Sequence, residues 1–214
     1  AWGLLLLLPL LLALLNLSLG LLKPPRAWAE PIQAPAEALQ AVYREAHPAA
    51  LRIEGPEGSR GTGFFYAPGL VLTAYHVVAE GGLYTLVLAM EETPAKTLPL
   101  ETARRPRVGE AVVHIGNGRG QFIAPRYGRV TRLEVSPSPF LPPGLVETSL
   151  PLAPGDSGGP VLDASGKVLG VAVAIGQTEE GFRSFFTPLF GRREALATLE
   201  AGGKSYWPYL GLRG

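Results

Sequence analysis

The 214-residue chain contains no cysteine. That absence excludes disulfides, thiol catalysis and cysteine-based metal sites together. The fold must therefore hold by packing alone. Aspartate is almost missing too: it occurs only at Asp156 and Asp163, and the other acidic residues are glutamates. Excess charge of either sign is absent. Lys and Arg number 19 against 18 acidic residues, for a net charge of +1. Such a balance gives no electrostatic footprint for a nucleic-acid partner. No motif implies a metal or a cofactor.

Apolar residues make up 47% of the chain, with 27 glycines and 21 prolines. Part of the apolar share lies in "AWGLLLLLPLLLALLNLSLGLL" (1–22), which carries no charge and is long enough to span a bilayer. Lys23, Arg26 and then Ala27-Trp28-Ala29 follow it. Ala-x-Ala is a signal-peptidase pattern. Residues 1–29 are therefore expected to be either a signal peptide cut after Ala29 or a membrane anchor. Both readings export the remainder.

Residues 30–36 are rich in Pro and Ala and read as a linker. "AEALQAVYREAH" (36–47) has apolar residues at helical spacing and stops before Pro48. Short strand signals follow at 50–55, 61–69, 70–78, 83–90, 94–101, 110–117, 127–135, 144–152, 159–176 and 182–189, with turn residues between them. "GRREALATLEAG" (191–202) reads as a closing helix. Many short strands with regular turns predict an all-β sandwich or barrels.

The string "LAPGDSGGPVLD" (152–163) carries the clearest chemistry. A serine hydroxyl attacks well only when a base takes its proton. The oxyanion that forms is stabilised by backbone N–H groups turned inward from a tight loop. Gly155, Gly158 and Gly159 give such a loop its freedom. The base should be one of three histidines. His47 precedes a proline at a helix end, and His114 alternates with Val113 and Ile115 as a barrel residue would. His76 ends the apolar strand of "VLTAYHVV", where a base can be rigid and still face a cleft.

"VLTAYHVV" and "GDSGGPVL", in that order, resemble the His and Ser motifs of trypsin-like, chymotrypsin-fold serine proteases, in the manner of the bacterial HtrA/DegP group. The flanks "GTGFFYAPG", "RVGEAVVHIGNGRG" and "SFFTPLFGRREAL" resemble that group as well. The resemblance implies two antiparallel β-barrels with short N- and C-terminal helices, spanning 37–205 after the apolar signal or anchor segment. It implies Ser157 as nucleophile, His76 as general base, and an oxyanion hole from the N–H groups of Gly155 and Ser157, with Asp156 supporting the loop. Polypeptides are the implied substrates, and homo-oligomers are possible partners of such a domain.

In that family an Asp between the His and the Ser orients the imidazole. None lies between His76 and Asp156 here. Two alignments can be drawn. In the first, "YTLVLAMEETPAKTLPLETARRPRVGE" replaces the usual Asp-Leu-Ala-Leu-Leu strand, so that Thr85 holds the acid's position and two strands of the first barrel are missing. In the second, which the turn-rich "MEETP" favours, 83–90 and 94–101 pair as a hairpin. Glu101 then lies nearest the acid's place, with Glu91 and Glu92 behind it. Asp163 is expected in an exposed hairpin. A Glu substitute, a Ser–His dyad and an inactive module that binds polypeptide segments all remain open. The trypsin-like pattern puts Pro151 at the base of the specificity pocket and 172–177, including Ala174, on its wall. Both are apolar, which predicts small or aliphatic residues before the cut. "YWPYLGLRG" (206–214) resembles the opening of a PDZ domain, so a lost or truncated PDZ domain is expected.

Overall fold

The computed structural model describes residues 37–55, 58–78, 85–89, 94–139, 141–178 and 181–202. The apolar run 1–22, the signal or anchor segment 1–29, the linker 30–36, Glu91, Glu92 and the tail 206–214 lie outside them. Among the described residues, no helix is long and apolar enough to cross a membrane.

A helix opens this part of the chain: α1 (Glu37–Ala46) buries Leu39, Val42 and Ala46 on one face. Four strands follow: β1 (Ala50–Glu54), β2 (Arg60–Ala67), β3 (Leu70–Ala74) and β4 (Thr85–Ala89). They form an antiparallel sheet in sequence order. The β2–β3 turn uses Gly69 at φ 70°, a conformation that costs glycine little. The remaining strands are β5 (Ala111–Gly116), β6 (Ala124–Val135), β7 (Leu145–Thr148), β8 (Pro160–Leu162), β9 (Val168–Thr178) and β10 (Gly181–Pro188). These six close into a barrel in the order β10-β7-β6-β5-β8-β9. Helix α2 (Arg193–Glu200) ends the described chain.

The strand-rich expectation holds, but two details differ. The segment 94–101 is not a strand. Pro94 and Pro99 have no N–H to give a ladder. The segment instead bridges the two sheets: Leu98 N–H donates to Phe65 O and Val168 N–H to Pro99 O, both at 2.9 Å. Nor is the first half a closed barrel among the described residues. β4 is its last strand, and 94–101 crosses to β9 rather than returning to β1. A four-stranded sheet therefore packs beside one six-stranded barrel.

One apolar core joins the halves. Phe64 and Leu72 of the first sheet pack with Ile115, Leu162, Val168 and Val171 of the barrel and with Leu39 and Val42 of α1. Phe64, Leu72 and Ile115 are fully buried. Truncating a buried Phe to Ala typically costs about 3–5 kcal/mol. At Phe64 that loss would fall on both halves at once, so the cleft between them is fixed by shared packing.

Candidate active site

β3 delivers His76. After Ala74 the chain leaves the sheet and makes one 3-10 turn, Tyr75–Val77, closed by Val78 N–H donating to Tyr75 O at 3.0 Å. Val77 is buried, and Ser59 Oγ donates to its carbonyl at 3.1 Å. His76 is therefore held at a rigid strand end, half-buried. Burial pushes its imidazole below the ordinary value of 6.5. Its Nδ1 is buried and has no hydrogen-bond partner among the described residues.

The loop 155–159 carries Ser157 and is clamped by β2. Thr62 N–H donates to Ser157 O, and Thr62 Oγ1 donates to Gly155 O, both at 2.8 Å. Gly158 N–H donates to Ala172 O at 2.7 Å, Gly159 N–H to Asp156 O at 3.1 Å and Asp156 N–H to Ala153 O at 3.0 Å. Among the described residues, the N–H groups of Gly155 and Ser157 have no such acceptor in the loop. Gly158 sits at φ 87°, and a Cβ there would lie 2.1 Å from Thr62 O and 2.9 Å from Ala74 N. The loop thus touches the backbone two residues before His76. The two halves meet here because only a glycine fits the gap.

Asp156 is fully buried beneath the loop. Its Oδ1 accepts from Gly118 N–H at 2.8 Å and its Oδ2 from Ala153 N–H at 3.0 Å. Burial alone would raise this carboxyl. The His114 ring, the Gly118 N–H and the Arg126 guanidinium outweigh it and hold the group below the usual range. His114 lies on β5 in the closed barrel, fully buried, as expected of a barrel histidine. His47 is exposed and its Nδ1 approaches the Arg44 carbonyl at 3.0 Å.

Glu101 is not in hydrogen-bond contact with His76, contrary to the alignment that put it nearest the acid's place. Its Oε1 accepts from Ala103 N–H at 3.0 Å and Arg104 N–H at 3.1 Å, and its Oε2 from Lys167 Nζ at 3.2 Å. The two N–H groups lead in holding its carboxyl below the usual range, with Lys167 assisting against burial. The physical reason is the path of 94–101, which carries Glu101 to the start of β9: its N–H donates to Val168 O at 2.9 Å. β4 instead pairs with β3, and Thr85 stands opposite Ala74. The β4 backbone thus runs beside β3, with Thr85 near the turn that bears His76.

Asp163 is buried rather than exposed. Arg104 Nη2 covers one carboxylate oxygen at 2.6 Å, and the other closes the hairpin by accepting from Ser165 N–H at 2.8 Å and Lys167 N–H at 3.1 Å. Pro151 is exposed between the buried Leu150 and Leu152. The Ala174 backbone pairs with Phe185. A pocket of about 390 Å³, lined in part by Arg105, Leu133, Val146, Phe190 and Arg192, contains none of the residues of this site. Among the described residues, no cluster of three potential ligands could hold a metal ion.

Motif reading missed Thr62 and Asn117. Asn117 N–H and Nδ2 both donate to Thr62 Oγ1 at 3.1 Å, and Nδ2 reaches Gly61 O at 3.3 Å. The only sequence signal was their place in the flanks "GTGFF" and "HIGN".

Residues 82–171 match the family model of the trypsin-like peptidase domain. HhoB of Synechocystis sp., which bears a serine protease name, is 31% identical over 73% of this chain and 44% of its own length. These matches support a trypsin-like protease of the HtrA/DegP-like group. A DegP-like protein of Pseudomonas fluorescens, named as a periplasmic serine endoprotease, is 29% identical over 72% of this chain and 38% of that protein. The chain spans less than half the length of these relatives. Among solved structures, a serine-to-alanine mutant of Rv3671c from Mycobacterium tuberculosis, in its inactive form, superposes with a TM-score of 0.66 at 22% identity. It covers 82% of this chain and 99% of that one, a likeness of fold.

Proposed function

We propose that this trypsin-like peptidase is a serine endopeptidase with Ser157 as nucleophile and His76 as general base. One observation carries the reading. The loop around Ser157 is locked by β2 against the strand end that bears His76, and among the described residues the N–H groups of Gly155 and Ser157 have no backbone acceptor. Ser157 Oγ attacks the scissile carbonyl carbon as His76 takes its proton. The Gly155 and Ser157 N–H groups stabilise the oxyanion. The C–N bond then breaks, His76 protonates the leaving amine, and an acyl ester remains on Ser157. Water, deprotonated by His76, hydrolyses that ester and restores the serine.

The substrate class is polypeptide, with exported or envelope proteins as targets, and the periplasmic name of the Pseudomonas fluorescens relative supports an extracytoplasmic location. A domain over 37–205, specificity for small or aliphatic residues set by Pro151 and Ala174, assembly into homo-oligomers and attachment through 1–29 belong to the same proposal.

A second reading is favoured by His76 Nδ1, which has no hydrogen-bond partner among the described residues. Without an acid, neither the reactive tautomer nor the imidazolium is stabilised, and losing this acid lowers turnover by roughly 10⁴-fold in a full triad. An inactive module that binds polypeptide segments in its cleft would tolerate that loss. Fluorophosphonate labelling of the full chain separates the two. An adduct mapped to Ser157 that disappears in His76→Ala supports the enzyme. A folded chain that takes no label leaves the binding module.

A further inference from the structure

The mechanism leaves the buried side chain of His114 without a task. His114 is fully buried, and neither ring nitrogen makes a hydrogen bond among the described residues. A buried polar group without partners costs free energy, so an apolar side chain would suit this barrel wall better. The polar group that faces the ring is the carboxylate of Asp156: Nε2 stands 3.5 Å from Oδ1. The fold also clears room for the ring. A Cβ on Gly116 would lie 2.4 Å from Nε2, and one on Gly159 would lie 2.4 Å from Cε1. Gly159 belongs to the nucleophile loop itself.

Arg126 completes the cradle. It stands directly opposite His114 in the β5–β6 ladder, so the two side chains share a face. Its Nε lies 3.6 Å from Asp156 Oδ2, and its Nη2 donates to Gly118 O at 2.9 Å. Gly118 N–H returns a bond to Asp156 Oδ1. The carboxylate is thus enclosed by a ring, a guanidinium and two backbone N–H groups. It sits on the one residue between Gly155 and Ser157.

We propose that His114 and Arg126 are positioning residues for the oxyanion-binding loop, acting through the carboxylate of Asp156. The inference rests on the peptidase reading above. Turning the 155–157 peptides would drag the Asp156 side chain out of its cradle. Arg126 opposes that by charge. His114 opposes it by presenting a ring nitrogen to the carboxylate and by wedging its ring between Gly116 and Gly159. The loop is held from below, while Thr62 holds it from the first sheet.

The test uses the full chain with His114→Leu, His114→Gln and Asp156→Asn. Amide hydrogen exchange of residues 153–159, fluorophosphonate labelling and thermal melting are read together. His114→Leu is expected to melt near the wild type, while the Asp156, Gly158 and Gly159 amides exchange about tenfold faster and labelling slows comparably. His114→Gln, which keeps a polar nitrogen able to face the carboxylate, should stay nearer the wild type than His114→Leu. On an Asp156→Asn background, His114→Leu should add nothing. Unchanged exchange and labelling in His114→Leu would reduce the ring to packing and overturn the proposal. If that variant does not fold, Asp156→Asn decides alone: its loop amides must exchange faster while the rest of the barrel does not. A wild type that takes no label would sink the peptidase reading, and the exchange data would still decide whether His114 holds the loop.

Discussion

The backbone N–H of Thr62 donates to the carbonyl oxygen of Ser157 over 2.8 Å. That bond ties a strand of the first sheet to the proposed nucleophile of the barrel. The Thr62 hydroxyl is also saturated, donating to Gly155 O and accepting from Asn117 N–H and Nδ2. Thr62→Val keeps the shape and removes all three contacts. Because buried partners are left unsatisfied, the loss should be about 1–3 kcal/mol. Labelling of Ser157 should slow as the loop loosens, and Thr62→Ser should behave as wild type. Equal melting and labelling of Thr62→Val and wild type would show that this bond network does not hold the loop.

Gly158→Ala should be worse than any of these. The residue would need φ 87°, and its Cβ would meet backbone atoms rather than a side chain that can move. Strain of this kind costs roughly 1–3 kcal/mol before the collision is counted. We expect loss of the folded protein, or a folded protein that takes no label. A fully labelled Gly158→Ala variant would mean that the loop and β3 are not in contact as described.

The pH dependence of labelling follows from His76. Its folded value lies below 6.5, through burial. In the proposed mechanism the neutral imidazole is the base, so labelling should persist below pH 6.5 and fall with an acid limb whose midpoint lies under that value. The sign for stability is the same. A depressed histidine binds its proton more weakly when folded, so its contribution is intact above the unfolded value and is lost as pH falls from about 6.5 through the folded value. A labelling midpoint above 6.5 would contradict the desolvated environment. His76→Ala should remove this stretch of pH-dependent stability.

The parts of the site written in short strings were legible in the sequence. Ser157, its glycines and His76 were picked out as candidates by local patterns, because a glycine-rich loop and a strand end are local features. The contacts that bind them were not. Thr62 meets Gly155 across 93 residues and Gly118 meets Asp156 across 38, and only strand register brings them together. His114 was read as a barrel residue, which fixes its burial but not its nearness to Asp156. The segment 94–101 misled because its alternation suits a strand while its prolines cannot complete one. That error moved Glu101 toward the base and away from Lys167, where the structure has it.

Glu101→Gln tests this relocation directly. Its carboxylate serves Ala103, Arg104 and Lys167. Labelling should be unchanged. The melting temperature should fall, and roughly 2–4 °C is expected per kcal/mol lost in a chain of this size. Because the folded carboxyl lies below its ordinary value of 4.5, its stabilisation is present above that pH and is lost as pH falls through the folded value. A labelling rate that drops in Glu101→Gln without a drop in melting temperature would return Glu101 to the catalytic centre.

Thr85→Asp asks whether the catalytic centre lacks only its acid. Thr85 stands opposite Ala74 in the β3–β4 ladder, and Ala74 begins the turn that presents His76. His76 Nδ1 is buried there without a partner among the described residues. A carboxylate that reached Nδ1 would fix the tautomer with Nε2 free, and would stabilise the imidazolium as it forms. Two readouts should then move together. Labelling of Ser157 should rise by tenfold or more, within the roughly 10⁴-fold that this acid contributes in a full triad. The acid limb of labelling should also shift upward, because a nearby negative charge favours the protonated ring. An increase in rate without the shift would point to a looser loop rather than a restored acid. No change in either would mean that a carboxylate at position 85 does not reach His76.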